Sequence, residues 1–422
     1  LRDEHPIDRR ENYRILVLLH PVVSQPGDRV PYQSMPLPPR ILFVTESFDV
    51  GGTETHLLNL LPELKDKGFE VAAFCFTRKG SRADRLERIG IPVYAAPQIG
   101  ESKRSFLAPV RVAVGAARLF RWIRRFRPSI VHFFLPGAYL PGAPVALAAG
   151  APIKIMSRRS LNDYQHKWPG VASTEKFLHR RMDMLLGNAR AITQELIQEG
   201  VPEKKVRLIY NGIHVPAIAT TKKEARAALD IDEHAFVAVV VANLLPYKGH
   251  LDLIAALIEI ADELPQPWTV LLAGRDGGSR AKIEGAIIQG GLANHVRLLG
   301  ERNDVPLILA AAEVGILTPT RNEGLSNAIL EFMAAGLPAV VTDIGGNAEV
   351  VVDGQTGLVV PPHGPETLGD AILNQAQNPG SRKAMGDAAR KRLAEEFSLT
   401  ACVERYCALY EHLLAQPEPD TA

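Results

Sequence analysis

The chain is 422 residues long, more than one hydrophobic core usually serves, so two domains are the default organisation. Its 48 Lys and Arg nearly balance 47 Asp and Glu; a net charge of +1 excludes bulk attraction to nucleic acid, and no aromatic-basic repeat offers another route to it. Three cysteines, Cys75, Cys402 and Cys407, are an odd set without metal-ligand or redox-pair spacing; they read as reduced, small apolar residues and point to the cytoplasm.

Residues 1–39 mix charges and prolines around one short apolar run, Ile15–Leu19. That run is shorter than a signal peptide's apolar core, and Asp3, Glu4 and Asp8 oppose the positive charge such a signal carries, so the segment reads as a poorly ordered extension. From Arg40, apolar runs at Ile41–Thr45, Val71–Thr77, Ile91–Ala95 and Ile130–Phe134 alternate with helical patterns such as Thr55–Lys67 and Arg82–Ile89. This alternation predicts a parallel sheet covered on both faces. Between the first strand and the first helix, Gly51 and Gly52 let backbone N–H groups approach a diphosphate or an acceptor, although paired glycines are also common in such turns.

Val110–Arg127 reads as an amphipathic helix with Val110, Ala113, Val114, Ala117, Phe120 and Ile123 apolar and Arg111, Arg118, Arg121, Arg124 and Arg125 basic. Such a helix fits an anionic membrane surface and equally an ordinary solvated face. Phe133–Ile153 is uncharged and long enough to span a membrane, but Pro136, Pro141, Pro144 and Pro152 argue against a continuous helix and for a buried loop and helix entrance. The first domain spans residues 40–214, and Val215–Thr221, short and mixed, reads as a linker. A second alternation, residues 215–397, has strands at Ala235–Ala242, Trp268–Ala273, His295–Leu299, Val314–Thr318, Ala339–Thr342 and Gly357–Val360. A helix at Leu399–Leu414 fills most of residues 398–415, before a tail at 416–422. The predicted class is α/β, with two Rossmann-like parallel-sheet domains facing across a cleft. Ligands of open parallel sheets bind beyond the carboxyl ends of the strands, which places the loops after Ala242 and Thr318, and with them Lys248 and Glu323, at the cleft.

The segment Thr320–Glu331 carries the chemistry. Ser326 is a natural N-cap, the following residues to Ala335 read as helix, and Gly336 with Pro338 stops it. The amides near Leu325, Ser326, Asn327 and Ala328 therefore stand at a positive helix end suited to phosphate. Glu323 before the helix and Glu331 in its second turn flank that end, and carboxylates accept hydrogen bonds from sugar hydroxyls. An acidic loop residue and an ordinary helix-surface Glu give the same letters, so the spacing alone leaves both readings open. Lys248, in the turn Pro246–Gly249, is either a solvated turn lysine or a compact charge for a diphosphate.

The run E-G-L-S-N-A-I-L-E from Glu323 to Glu331, followed by A-G-L-P, closely resembles the signature of family 4 (group 1) glycosyltransferases of the GT-B fold. The resemblance extends from about Arg40 to about Leu414. It implies that Glu323 contacts the transferred sugar, Glu331 the ribose, and Lys248 the donor diphosphate. It also implies that the loop of Gly324, Leu325, Ser326 and Asn327 offers backbone amides to that diphosphate, that the loop at Gly51 and Gly52 faces the reaction, that Leu208–Ile213 closes the first domain, and that the last helix crosses back onto it. The strand and loop Val239–His250 resemble the family's diphosphate-binding segment, with Asn243 where many relatives carry Arg. His132 matches the strand-end histidine near the reacting sugar, and equally suits a satisfied core position. Arg158 or Arg159, after another strand-like run, is a candidate replacement for the cation absent at Asn243, as a phosphate or acceptor contact.

Together these readings predict a retaining, metal-independent transfer of a sugar from a nucleotide-sugar substrate to a hydroxyl of a glycan or lipid-linked acceptor. No cofactor and no metal site are expected. Neither a Rossmann G-x-G-x-x-G nor a Walker A sequence is present. The expected location is the cytoplasm, with a peripheral place on the inner face of the cytoplasmic membrane if the basic helix binds lipid. A sugar-nucleotide epimerase of the same architecture and a non-catalytic nucleotide-sugar-binding protein are the alternatives.

Overall fold

The structure, a computed structural model, describes residues 38–49, 51–96, 108–167, 170–214 and 220–416. Residues 1–37 of the predicted extension, 215–219 of the predicted linker and 417–422 of the tail lie outside the described residues.

Seven strands form the first sheet: β1 (Arg40–Thr45), β2 (Glu70–Cys75), β3 (Val93–Ala95), β4 (Ile130–Phe134), β5 (Ile153–Arg158), β6 (Met184–Gly187) and β7 (Val206–Leu208). Their order is β3-β2-β1-β4-β5-β6-β7, all parallel. Six more form the second: β8 (Phe236–Val241), β9 (Trp268–Ala273), β10 (Val296–Gly300), β11 (Val314–Leu317), β12 (Ala339–Thr342) and β13 (Gly357–Val360). Their order is β10-β9-β8-β11-β12-β13, again parallel throughout.

The strands are near-continuous apolar runs because helices cover both faces of each sheet. In β1, Ile41 and Phe43 pack into one core while Leu42 and Val44 pack into another on the opposite face. Val237 and Val239 of β8 likewise separate from Ala238 and Val240. This period of two is the ordinary alternation of strand side chains. The chain order reverses between β1 and β4 in one sheet and between β8 and β11 in the other, and a crevice opens at such switch points.

The helix Leu399–Leu414 starts at Ser398, whose hydroxyl accepts the Ala401 amide at 3.2 Å. It returns to the first domain, where Leu399, Cys402, Val403, Tyr406, Leu409, Tyr410 and Leu413 join a core with Ile41, Phe43 and Leu57. Cys75 and Cys402 are buried free thiols, and Cys407 is half-buried.

The segment Phe133–Ile153 corrects the expectation of a loop. Residues Pro136–Ala148 form a helix despite Pro141 and Pro144 inside it. Pro136 costs nothing in the first turn, and burial of Tyr139, Ala143 and Ala146 offsets the backbone bonds lost at the two inner prolines. Gly142 allows the close approach: a Cβ there would lie 2.8 Å from the Phe133 ring. Among the described residues, no helix is long and apolar enough to cross a membrane.

The basic helix spans Ala108–Phe126. Ile123 and Leu119 face the core, whereas Val110, Val112 and Phe120 remain 40–49% exposed beside Arg118, Arg121, Arg124 and Arg125.

Candidate active site

A cleft of about 680 Å³ lies between the carboxyl ends of the two sheets. One wall holds Gly51, Gly52, Arg82, Arg85, Arg159, Asn188 and Asn211 of the first domain. The other holds Asn243, Lys248, Arg275, Arg302, Glu323, Leu325, Ser326, Asn327 and Glu331.

Lys248 follows β8 and Glu323 follows β11, the two strands at the switch point. Pro246–Lys248 is a single 3-10 turn, and the next residue, Gly249, has φ of 72°. A side chain is excluded there on two counts, the left-handed backbone and a Cβ that would run into the Thr318 carbonyl oxygen. The Thr318 hydroxyl donates to the Gly249 carbonyl at 3.2 Å, and the Thr320 amide donates to that of Tyr247 at 2.8 Å. These contacts tie the lysine turn to the loop that carries Glu323.

The Lys248 ammonium lies 2.5 Å from Glu323 Oε2 and 5.6 Å from the centre of the Tyr247 ring. Burial works against its charge, and the Glu323 carboxylate more than offsets this by attraction and hydrogen bonding, so Lys248 sits above the ordinary lysine range. Two largely buried charges thus neutralise each other, an arrangement that an incoming anion can replace on the lysine side.

Ser326 occupies the N-cap of the helix Asn327–Ala335 with an extended backbone, but its hydroxyl makes no capping hydrogen bond. The amides of the first turn are therefore not taken up by their own cap, contrary to the usual role of serine there. Gly336 ends the helix with φ of 72°. Glu331 lines the cleft half-buried and makes no hydrogen bond among the described residues. Burial alone raises its carboxyl to about 7. Asn243 uses its Oδ1 to accept the Arg275 amide at 3.2 Å, which joins the loops after β8 and β9.

The first domain holds the helix start directly. Asn211 donates to the Leu325 carbonyl at 3.3 Å and to Asn327 Oδ1 at 2.7 Å, and Asn327 donates to the Gly52 carbonyl at 3.0 Å. Gly324 packs so tightly that a Cβ would lie 2.5 Å from the Arg159 carbonyl oxygen.

Two candidates are not brought to the cleft. His132 is fully buried in β4, with Nδ1 2.8 Å from the Tyr410 hydroxyl and Nε2 2.8 Å from the Ser157 hydroxyl. Both ring nitrogens are thus occupied by protein groups. Burial, with Arg159 nearby, holds its pKa well below the usual histidine range, so it is a neutral core residue here. Arg158 ends β5 and turns inward, pairing with Glu199 at 2.6 Å and Glu175 at 3.2 Å. Burial opposes that charge, and hydrogen bonding and attraction to the glutamates outweigh it, raising the guanidinium above its usual range.

Arg159 does line the cleft, with its guanidinium carbon 5.8 Å from the centre of the Phe134 ring. Its Nη2 is buried without a hydrogen-bond partner among the described residues, and burial lowers its pKa. Arg82, Arg85, Arg275 and Arg302 are further cleft cations that the motif reading did not single out. Arg275 and Arg302 lie just beyond the ends of β9 and β10, and Asn188 and Asn211 beyond β6 and β7. The rule that ligands meet parallel strands at their carboxyl ends, applied to every strand, would have found those four.

Two doubly wound domains facing across such a cleft are the GT-B architecture. A glycosyltransferase from Rickettsia africae superposes with a TM-score of 0.76 at 17% identity, covering 90% of this chain and 100% of that one. Anabaena Alr3699/HepE, solved in complex with UDP-glucose, superposes with a TM-score of 0.76 at 23% identity, over 88% of this chain and 99% of that one. The chain belongs to the family 4 (group 1) glycosyltransferases: the model described as Glycosyltransferase Family 4 matches residues 50–215, and that described as Glycosyl transferases group 1 matches residues 221–392. A relative from Corynebacterium diphtheriae named D-inositol 3-phosphate glycosyltransferase is 26% identical over 390 residues, 86% of this chain and 90% of its own length.

Proposed function

We propose that this glycosyltransferase moves a sugar from a nucleotide-diphosphate sugar to an acceptor hydroxyl with retention of anomeric configuration and without a metal ion. The observation that carries this reading is the convergence of the Lys248 ammonium, the uncapped start of the helix Asn327–Ala335 and the carboxylates of Glu323 and Glu331 in one cleft. The complexes of Anabaena Alr3699/HepE with UDP and with UDP-glucose support a donor of that class. The name of the Corynebacterium relative supports a small hydroxylated acceptor bearing a phosphate.

In this reading the donor diphosphate takes the Lys248 ammonium from Glu323 and meets the amides at Ser326 and Asn327. Glu323, released from its ion pair, accepts hydrogen bonds from the transferred sugar, and Glu331 accepts them from the ribose hydroxyls. As the glycosidic bond breaks, its electron pair passes to the diphosphate, where the lysine and the helix end stabilise the charge. The acceptor oxygen forms the new bond as its hydroxyl proton passes to the departing diphosphate; no enzyme nucleophile is assigned, and positioning of the two substrates supplies the remaining acceleration. Arg159 supplies a further cation to phosphate on the donor or the acceptor.

The exposed Val110, Val112 and Phe120 beside four exposed arginines support a peripheral position on anionic lipid. Liposome binding unchanged by neutralising Arg118, Arg121 and Arg125 would remove that part.

The test is a thermal-shift screen of nucleotide-sugars followed by transfer assays with EDTA present and nuclear magnetic resonance of the product. A stabilising donor and a product with the donor's anomeric configuration are expected. An inverted product, strict metal dependence, or product formed without any acceptor would contradict the reading.

A further inference from the structure

The helix Arg190–Gln198 of the first domain begins without a cap of its own. Its N-cap residue is Ala189, which has no side-chain acceptor, so the first amides need a partner from elsewhere. The second domain supplies it. Glu349 accepts the Arg190 amide at 2.8 Å and the Ala191 amide at 3.1 Å, and the Tyr210 hydroxyl donates to the same carboxylate at 3.1 Å. A negative charge at a helix start is favoured by the dipole as well as by the hydrogen bonds.

Glu349 is firmly tied to its own domain. It lies in the short helix Asn347–Val350, and Arg392 donates to the carbonyls of Glu349 at 3.0 Å and Val350 at 3.1 Å. The turn leading into that helix reaches the active site: the Gly346 amide donates to the Gly324 carbonyl at 2.9 Å, one residue from Glu323. Gly345 has φ of 62°, and a Cβ on it would meet the Glu323 carbonyl. A Cβ on Gly346 would lie 2.8 Å from that of Ala189. One turn thus touches the Glu323 loop on one side and the first domain on the other.

We propose that Glu349 is a positioning residue that couples domain closure to the placement of Glu323. The closed arrangement gives the Arg190–Gln198 helix its cap, and the same contact presses the Gly345–Gly346 turn onto the loop that bears Glu323. Opening the cleft leaves two helix amides and one carboxylate to be solvated, so the capping contact favours the closed form before any ligand binds. The kinetic consequence rests on the nucleotide-sugar reading above; the structural one does not.

Small-angle scattering from the ligand-free full chain reads closure without reference to a substrate. Glu349→Ala is expected to enlarge the radius of gyration with cooperative unfolding retained. Glu349→Gln, whose amide oxygen still accepts one bond, is expected to fall between it and wild type. Tyr210→Phe, which keeps the ring against Phe397, is expected to show a smaller change in the same direction. UDP, titrated by calorimetry, is expected to bind the alanine variant up to about tenfold more weakly, because its affinity scales with the closed fraction. Once an acceptor is known, KM for the donor is expected to rise more than kcat falls.

Wild-type dimensions together with wild-type UDP affinity in Glu349→Ala would overturn the proposal. Should that variant fail to fold, the same result in Glu349→Gln would overturn it. Enlarged dimensions in a protein that binds UDP in neither form would sustain the coupling and sink the nucleotide-sugar reading instead.

Discussion

Glu331→Gln is expected to make the protein more stable and less able to bind donor, with a gain in stability that is absent near pH 4, grows as the pH rises and is complete above neutrality. Burial raises the folded-state carboxyl from its ordinary 4.5 to about 7. Below the unfolded value the group is protonated in both states and costs nothing. Between the two values the unfolded chain ionises while the folded chain holds its proton, so stability falls as pH rises, and above about 7 the loss is complete. A shift from 4.5 to about 7 corresponds to up to roughly 3 kcal/mol, reduced to the extent that solvent reaches the half-buried group. A neutral amide of the same shape removes the cost. Urea unfolding of wild type and variant across this pH range reads the difference directly. The variant should gain little near pH 4 and up to about 3 kcal/mol near pH 8. An advantage independent of pH, or a wild type more stable than the variant at alkaline pH, would refute the reasoning.

The same carboxyl sets the pH dependence of donor binding. Only its ionised form accepts from both ribose hydroxyls, so nucleotide-sugar affinity should rise about tenfold between pH 6 and pH 8 and lose that dependence in Glu331→Gln. Calorimetry with an intact nucleotide-sugar measures it, because the donor itself does not titrate there. Arg158→Met should destabilise the fold by about 3–5 kcal/mol by leaving Glu175 and Glu199 without their cation, while folded protein keeps its donor affinity. Arg159→Ala should do the reverse, weakening a phosphate-bearing ligand with little loss of stability; thermal unfolding and ligand titration separate the two. Gly249→Ala should cost about 1–3 kcal/mol and weaken diphosphate binding, since the left-handed turn before the Thr318 carbonyl leaves no room for a Cβ. Wild-type affinity in that variant would show that the lysine turn tolerates displacement.

The architecture was legible because every strand is an apolar run closed by turn residues, and two such series implied two parallel sheets with a cleft at their carboxyl ends. The class of two facing domains with a returning last helix is the one observed. The stop at Gly336 was readable because only a residue tolerant of positive φ ends a helix there. The helix Pro136–Ala148 was not, because its prolines lower helix propensity while the packing of Tyr139, Ala143 and Ala146 that compensates is invisible in one sequence. Arg158 and Arg159 stand side by side in the letters, yet one ends a strand and turns into a cluster of glutamates while the next emerges at the cleft. His132 lies in the middle of β4 rather than at its end, and the tyrosine that occupies its Nδ1 lies 278 residues away on the crossing helix. Cross-domain partners of that kind, Glu349 with the Arg190 amide among them, follow from how the domains face each other rather than from any local pattern.

The most direct test of the account is calorimetric titration of wild type and Lys248→Ala with UDP-glucose, GDP-mannose and ADP-glucose, joined to turnover with whichever donor binds. At least one donor should bind wild type, and the variant, still folded, should lose affinity and fall about a hundred- to thousandfold in turnover. Near wild-type binding and turnover without the lysine, or no nucleotide-sugar bound by either protein, would contradict it.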